Sequence, residues 1–476
     1  MINSSIFKLI LSLALNIIAC LVYILLMPNL RGFPNSFLNL NLCFIVIFCI
    51  VFFLFATSRF FKNTVKYDLF FLIGFIIVHF QIPIMYSLGI RNFITDFAIL
   101  DQFLMNFLTW FSGICILLWM IGHILGLLFI KNKNKNISKS NNNKFIIKKT
   151  LSDVILLILF LGFVIIAGKP LLSGMYDGGK NWGDNATYFF LLLRSFLIVR
   201  IFYFFYSLKN DNKSSIYKNI FNNKILVSIT VLYIFLFFIG GQRSTILELL
   251  ILIVSCYSIY IKKINFVLVL VGITIGGFVF TLLGMGRTGD SNDLTGNIVE
   301  RGLNKANSSD EFILPTDELA GSNKVSYLAL DYFPDRIDFM NGKILLLDIV
   351  GVIPFGSRLL GDNLSEVETT SPVLFTYLDQ GKYSSYGTGS DVVSDIYINF
   401  GVYGTIVVFF FFGFCIALVQ YKFNIEKDFY WSIVSVTIII SAIFINRAQL
   451  LSPLKDIFYA LIFARLFFKK VSVKNS

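Results

Sequence analysis

Arginines placed among apolar residues are the chemistry-bearing feature of this sequence. Arg194 and Arg200 both fall inside one apolar run, residues 188–208. An ionisable group at the centre of a membrane span costs about 2.5–3.5 kcal/mol on insertion scales, so each marks a candidate site. Six residues apart, they face different sides of a 3.6-residue helix. Each is either part of an anion site or the partner of a buried carboxylate such as Glu248. The second feature is Gly240-Gly-Gln-Arg-Ser-Thr-Ile-Leu-Glu248, a short turn between two apolar runs. Two glycines permit the tight turn. Ser244 can cap the following helix. Arg243 then lies at that helix's positive end, where anions bind. The plainer reading is a hairpin with Arg243 as an interface anchor. Arg287 follows the run 264–283, and Arg447 precedes the run 454–468. Arg194, Arg243, Arg287 and Arg447 can therefore converge on one anionic ligand, and the planar guanidinium fork suits phosphate.

Other groups leave more than one reading open. His79 and His123 lie at different depths, which argues against a shared metal, and each is also readable as a hydrogen-bonded core histidine. Gly387-Thr-Gly-Ser-Asp391 precedes a helix. Such a turn either holds a phosphate or lets Ser390 or Asp391 cap the helix itself. Asp331-Tyr-Phe-Pro-Asp335-Arg336 brings carboxylates and aromatic rings together, as a sugar site does and as an exposed charged helix also does. Six cysteines all sit in apolar runs without C-x-x-C spacing, so neither a disulfide framework nor a zinc site is indicated. No cofactor motif or metal-ligand spacing is found.

The elements that must position these groups are membrane helices. The 476 residues are 56% hydrophobic, with a mean hydropathy of +0.77. Apolar runs of about 20 residues recur, each long enough to cross about 30 Å of hydrocarbon. The expected fold is an all-α polytopic membrane protein. About twelve spans are expected, with cores at 6–27, 37–55, 69–88, 107–130, 151–167, 188–208, 225–239, 245–261, 264–283, 402–421, 431–445 and 454–468. The net charge of +12 comes from lysines between these runs, which follows the positive-inside rule and not a nucleic-acid surface. With a cytoplasmic N-terminus every inside loop is basic, and the C-terminus is cytoplasmic too. The first run is expected to stay as a retained helix, because no small-residue cleavage site follows it. Residues 132–143 read as a flexible Lys/Asn/Ser linker. The chain then divides into helices 1–9 over 1–285, an extracytoplasmic loop over 286–401, and helices 10–12 over 402–476. From Arg287 to Asp395 there are 8 basic and 17 acidic residues. That loop is expected to pack on the bundle mouth, with short helices near 325–340 and 343–350.

The Gly241-Gln-Arg243-Ser244 turn, the long late loop, and Asn399-Phe-Gly401-Val-Tyr-Gly404 entering the tenth span resemble the Wzy-type O-antigen or oligosaccharide-repeat-unit polymerases. The likeness covers the architecture of nearly the whole chain, and its local motifs are short. Pro354-Phe-Gly-Ser-Arg358 is similar to a Pro-Arg element of the family, with inserted residues. The resemblance implies transfer of a growing glycan from undecaprenyl pyrophosphate to a sugar hydroxyl on the next lipid-linked repeat unit, at the outer leaflet of a bacterial cytoplasmic membrane. It implies that Arg194, Arg243, Arg287, Arg447 and Arg200 meet the pyrophosphate. It leaves Glu248, Asp331, Asp335, Asp391 and His79 as unranked general-base candidates, and assigns Tyr332, Arg336 and Arg358 to the acceptor glycan. Expected partners are the lipid-linked glycans, membrane lipid, a chain-length regulator and a flippase. An O-antigen ligase or a lipid-linked oligosaccharide flippase are the alternative readings. The lack of internal repeats argues against a transporter.

Overall fold

The computed structural model describes residues 4–61, 65–91, 101–133, 143–168, 171, 183–210, 216–286, 300–304, 314–353, 356, 370–384, 387–426 and 428–472. In chain order its helices are α1 (Ser4–Leu25), α2 (Ser36–Phe61), α3 (Tyr67–Ser87), α4 (Met105–Lys133), α5 (Lys149–Ala167), α6 (Gly183–Asn210), α7 (Ile216–Asn222) and α8 (Lys224–Ile239). There follow α9 (Arg243–Tyr260), α10 (Phe266–Met285), α11 (Asp317–Ala320), α12 (Lys324–Tyr332), α13 (Lys343–Val350), α14 (Ser371–Gln380), α15 (Val392–Tyr421), α16 (Phe429–Ser441) and α17 (Leu454–Phe467).

Among the described residues, 8 helices are long and apolar enough to cross a membrane: α1 to α6, α9 and α15. The other four predicted spans also fold as helices: α8, α16 and α17, with 16, 13 and 14 residues, are shorter than the roughly 20 residues of a typical span, and α10 has 20 residues. The chain is a polytopic membrane protein whose backbone polar groups are satisfied within helices, as hydrocarbon demands.

The centre is the parallel pair α4 and α15, in which Phe111 meets Tyr397 and, further along, Gly126 meets Phe414 and Ala417. A Cβ on Gly122 would stand 2.0 Å from the Phe410 carbonyl oxygen, and one on Gly413 would stand 2.0 Å from that of Trp119. The two backbones therefore touch, which small residues alone allow between membrane helices. Aromatic rings fill the space beside this contact: Phe71 lies 4.9 Å from Trp119 and 5.5 Å from Phe412. Below it, buried Asp68 gathers polar partners from three parts of the chain. Its Oδ1 is 3.2 Å from His123 Nε2 and accepts a 2.6 Å bond from Gln420, and its Oδ2 lies 3.1 Å from Lys66 Nζ. His123 is thus a core histidine engaged with a carboxylate.

Helix α15 starts ten residues earlier than its apolar run. Asp391 caps it by accepting from the amides of Val393 and Ser394, so the cap role, not a phosphate, occupies that Gly-rich turn. Gly401, at φ +65°, breaks the helix in its interior instead of standing at its start. Hydropathy placed the start at 402 because Ser394, Asp395 and Asn399 are polar. They are nevertheless buried, and Asp395 accepts from the Leu450 amide at 2.9 Å.

A further difference is a small antiparallel sheet. β1 (Asn143–Ile147) pairs with β2 (Phe468–Ser472), with Phe145 opposite Lys470. Only Ile147, Phe145 and their β-branched neighbours mark these strands, and the partner is more than 300 residues away. Phe145 stacks on Phe429 at 4.1 Å. Residues 134–142, most of the predicted linker, lie outside the described residues.

The segment before α15 sits on the end of the bundle where α3 and α4 meet. Helix α12 is shorter than expected, and α13 falls where the sequence places it. Val325, Leu328 and Ile344 are buried, while Leu346 and Ile349 on α13 are exposed, giving α13 one protein-facing and one outward apolar side.

Candidate functional site

The turn from α8 to α9 reverses within three residues, with Gly241 at φ +66°. Arg243 is the first residue of α9. Gln242, not Ser244, stands at the cap position, without a side-chain cap bond. Ser244 is instead inside the helix and lines a cavity of about 690 Å³.

That cavity runs along α9 from Arg243 to Val254, roughly 16 Å at 1.5 Å per residue. Its walls are apolar: Ile73 and Ile77 on α3, Ile251 on α9, and Leu268, Gly272 and Ile273 on α10. Its polar end holds Arg243, Glu248, Glu318 and Arg447. Both arginines take the same carboxylate. Arg243 holds the two oxygens of Glu318, and Arg447 Nη1 lies 3.0 Å from Glu318 Oε1. The Arg243 side chain is 9% exposed and that of Glu318 37%, so the cluster is rooted in protein and open at its acidic member.

Glu318 is delivered by α11, and its neighbour Asp317 fastens that helix. Asp317 accepts from Gln81 at 2.9 Å and from the Leu314 amide at 2.7 Å, and pairs with Arg91 at 2.9 Å. Arg447 is set by the turn Phe444–Arg447 that follows α16. Beside it, Asn446 donates to the carbonyls of Phe71, Ala442 and Ile443, locking the turn against α3.

Arg194 is the third cation near this end. Its Nη2 lies 3.1 Å from Glu248 and 2.9 Å from Asp456. Glu248 therefore joins the cavity to a buried cluster of α6, α9 and α17. Arg200 lies elsewhere. It pairs with Asp153 and donates to Ser152 Oγ on α5, and does not line the cavity. Their different partners follow from the different helix faces expected at that spacing.

The remaining candidates separate from the cavity. His79 and Asp391 are fully buried, with Nε2 3.9 Å from Oδ1, and Ser112 Oγ stands 3.4 Å from His79 Nδ1. Asp391, besides its cap role, accepts from Ser326 at 3.0 Å. Burial raises its pKa to about 6, against hydrogen bonds from Ser394, Ser326 and Val393 that favour the ion. Asp331 bridges Arg31 at 2.7 Å and Arg336 at 3.0 Å. Arg336 also lies over the Tyr332 ring at 4.8 Å. Asp335 is exposed in the stretch between α12 and α13. This group is a separate surface on the approach to α4, where Arg31 also meets Asp101 at 3.3 Å. Arg287 and Arg358 lie outside the described residues.

Two participants escaped the sequence reading. Asp456 carried a signal, an acid within the first turn of the last apolar run. Glu318 carried none, because one acid among many in a long acidic stretch gains meaning only from the two arginines that meet it.

Comparison with known proteins agrees with this architecture. No curated protein and no solved structure matches the chain. A family model described as O-antigen polysaccharide polymerase Wzy matches residues 2–475, nearly the whole chain. The resemblance seen at the Gly241–Ser244 turn and in the arrangement of helices thus extends end to end, and the chain belongs to the O-antigen polysaccharide polymerase Wzy family.

Proposed function

We propose that this protein lengthens a surface glycan by joining undecaprenyl-diphosphate-linked repeat units at the outer leaflet of a bacterial cytoplasmic membrane. The observation that supports this reading is the join between an arginine pair and an apolar cavity. A lipid diphosphate has the same two-part chemistry. Its isoprenoid tail lies along α9 and α10, and its diphosphate meets Arg243 and Arg447. In the reaction the acceptor hydroxyl oxygen bonds to the anomeric carbon of the donor glycan. The bond from that carbon to the phosphate oxygen breaks, and its electron pair leaves with the diphosphate. Guanidinium groups already in place favour the charge that develops there.

The Asp331, Tyr332, Asp335 and Arg336 surface takes the acceptor glycan. Arg194 supports the donor end through Glu248. The membrane orientation follows from the basic loops. A flippase supplies the repeat units, and a chain-length regulator is the expected partner.

The test is the surface-glycan ladder of a deletion strain complemented with Arg243→Ala, Arg447→Ala or the double variant. Loss of one charge donor of this kind lowers turnover by about 10²–10³-fold, leaving mostly single repeats on the core. A normal ladder from the double variant refutes the role of the pair. A deletion strain without even one repeat on the core points to a ligase or a flippase.

A further inference from the structure

We propose that Glu318 is the general base of chain lengthening, held in reserve by the arginines that the donor diphosphate later takes. The proposal rests on the reading of the cavity as the lipid-diphosphate site. Three features carry it. Glu318 occupies the space between Arg243 and Arg447, where a diphosphate of the same charge sign would be seated, so donor and carboxylate compete for one place. Glu318 is also partly exposed, whereas the other acid lining the cavity, Glu248, lies more than a turn further along α9 and is engaged by Arg194. Finally, α11 has its own anchor. Asp317 is bound to Gln81 and Arg91, so loss of the Glu318 contacts leaves the helix on the cavity mouth and its carboxylate next to the reacting centre.

Both oxygens of Glu318 are engaged while the arginines hold them. When the diphosphate takes the guanidinium groups, the carboxylate is freed beside a new anion. It then accepts the proton of the acceptor hydroxyl as that oxygen attacks the anomeric carbon, and passes it to water after the diphosphate has left. The arrangement imposes an order, because the base becomes available only after the donor has bound.

Glu318→Gln, Glu318→Asp and Arg243→Ala/Arg447→Ala forms of the full chain in nanodiscs test the proposal. Two measurements are made on each: binding of farnesyl diphosphate, a short prenyl diphosphate, and rate of lengthening on lipid-linked repeat units. Removing the competing ion pair in Glu318→Gln tightens binding roughly two- to fivefold. Lengthening by the same variant falls by about 10² or more, and Glu318→Asp recovers part of it. Unchanged or weaker binding by Glu318→Gln overturns the competition, and lengthening near the wild-type rate overturns the base. The double arginine variant separates this from the underlying reading. If it binds farnesyl diphosphate as the wild type does, the cavity is not the donor site. If it binds weakly while Glu318→Gln lengthens normally, only the assignment of Glu318 fails.

Discussion

Arginine does two kinds of work here, set by what surrounds it. Arg200 is 2% exposed and Asp153 8%, and they form a closed pair. Removing one partner of such a pair strands a charge in a poorly solvated place, at a cost of roughly 3–5 kcal/mol. Asp153→Ala is therefore expected to lower the thermal unfolding temperature in detergent sharply, and Arg200→Met with Asp153→Leu to recover most of the loss. Equal unfolding temperatures for Asp153→Ala and wild type would remove the structural role of this pair. The Arg243, Arg447 and Glu318 group differs because its acid is partly exposed. An incoming anion can replace that acid without burying an unpaired charge.

At the scale of elements, glycine has opposite meanings in α4 and α10. Gly122 abuts the Phe410 carbonyl, whereas a Cβ on Gly272 would meet nothing within 4 Å. Gly122→Leu forces α4 from α15, and overpacking of this kind costs about 1–3 kcal/mol or more. Gly272→Leu adds its bulk to the cavity instead, so it is expected to unfold at the wild-type temperature while glycan lengthening drops severalfold. A Gly272→Leu protein with a full ladder would show that the isoprenoid tail lies elsewhere. Helix α15 adds a related lesson. Its first turns are polar yet buried, because Asp395 and Asn399 find partners within the protein, so the helix extends past the end of its apolar run.

Across the whole molecule, the acidic segment is held to the bundle by polar contacts at its base. Asp348 on α13 accepts from Gln449 at 2.9 and 3.1 Å, beside the turn that carries Arg447. Burial raises its pKa to about 6, opposed by Lys455 and the Gln449 bond. The ordinary aspartate value is about 3.9, so between roughly pH 4 and 6 the folded protein binds more protons at this site than the unfolded chain does. Stability from this group therefore decreases as pH rises through that window. Relative to wild type, Asp348→Asn is expected to lose that component of the decline in unfolding temperature between pH 4 and 6. Parallel pH curves for the two proteins would rule it out.

Much was legible in the amino-acid order. Hydrocarbon excludes unpaired backbone groups, so runs of apolar residues had to become helices, and charge between the runs pointed to an orientation. Arg194, Arg243 and Arg447 stood out because a guanidinium at or in a span is costly unless it is paired or used. The Gly240-Gly241 turn marked Arg243 as the head of a helix. Other features depended on contacts between residues distant in the chain. Glu318 became part of a site only where α11 meets the start of α9 and the turn after α16, and Arg200 left the site once Asp153 was found opposite it. The β1–β2 pairing and the early start of α15 were hidden for the same reason. Periodicity and hydropathy report how a segment meets its surroundings on average, while the partner of a given polar group is decided by where the packed helices bring the rest of the chain.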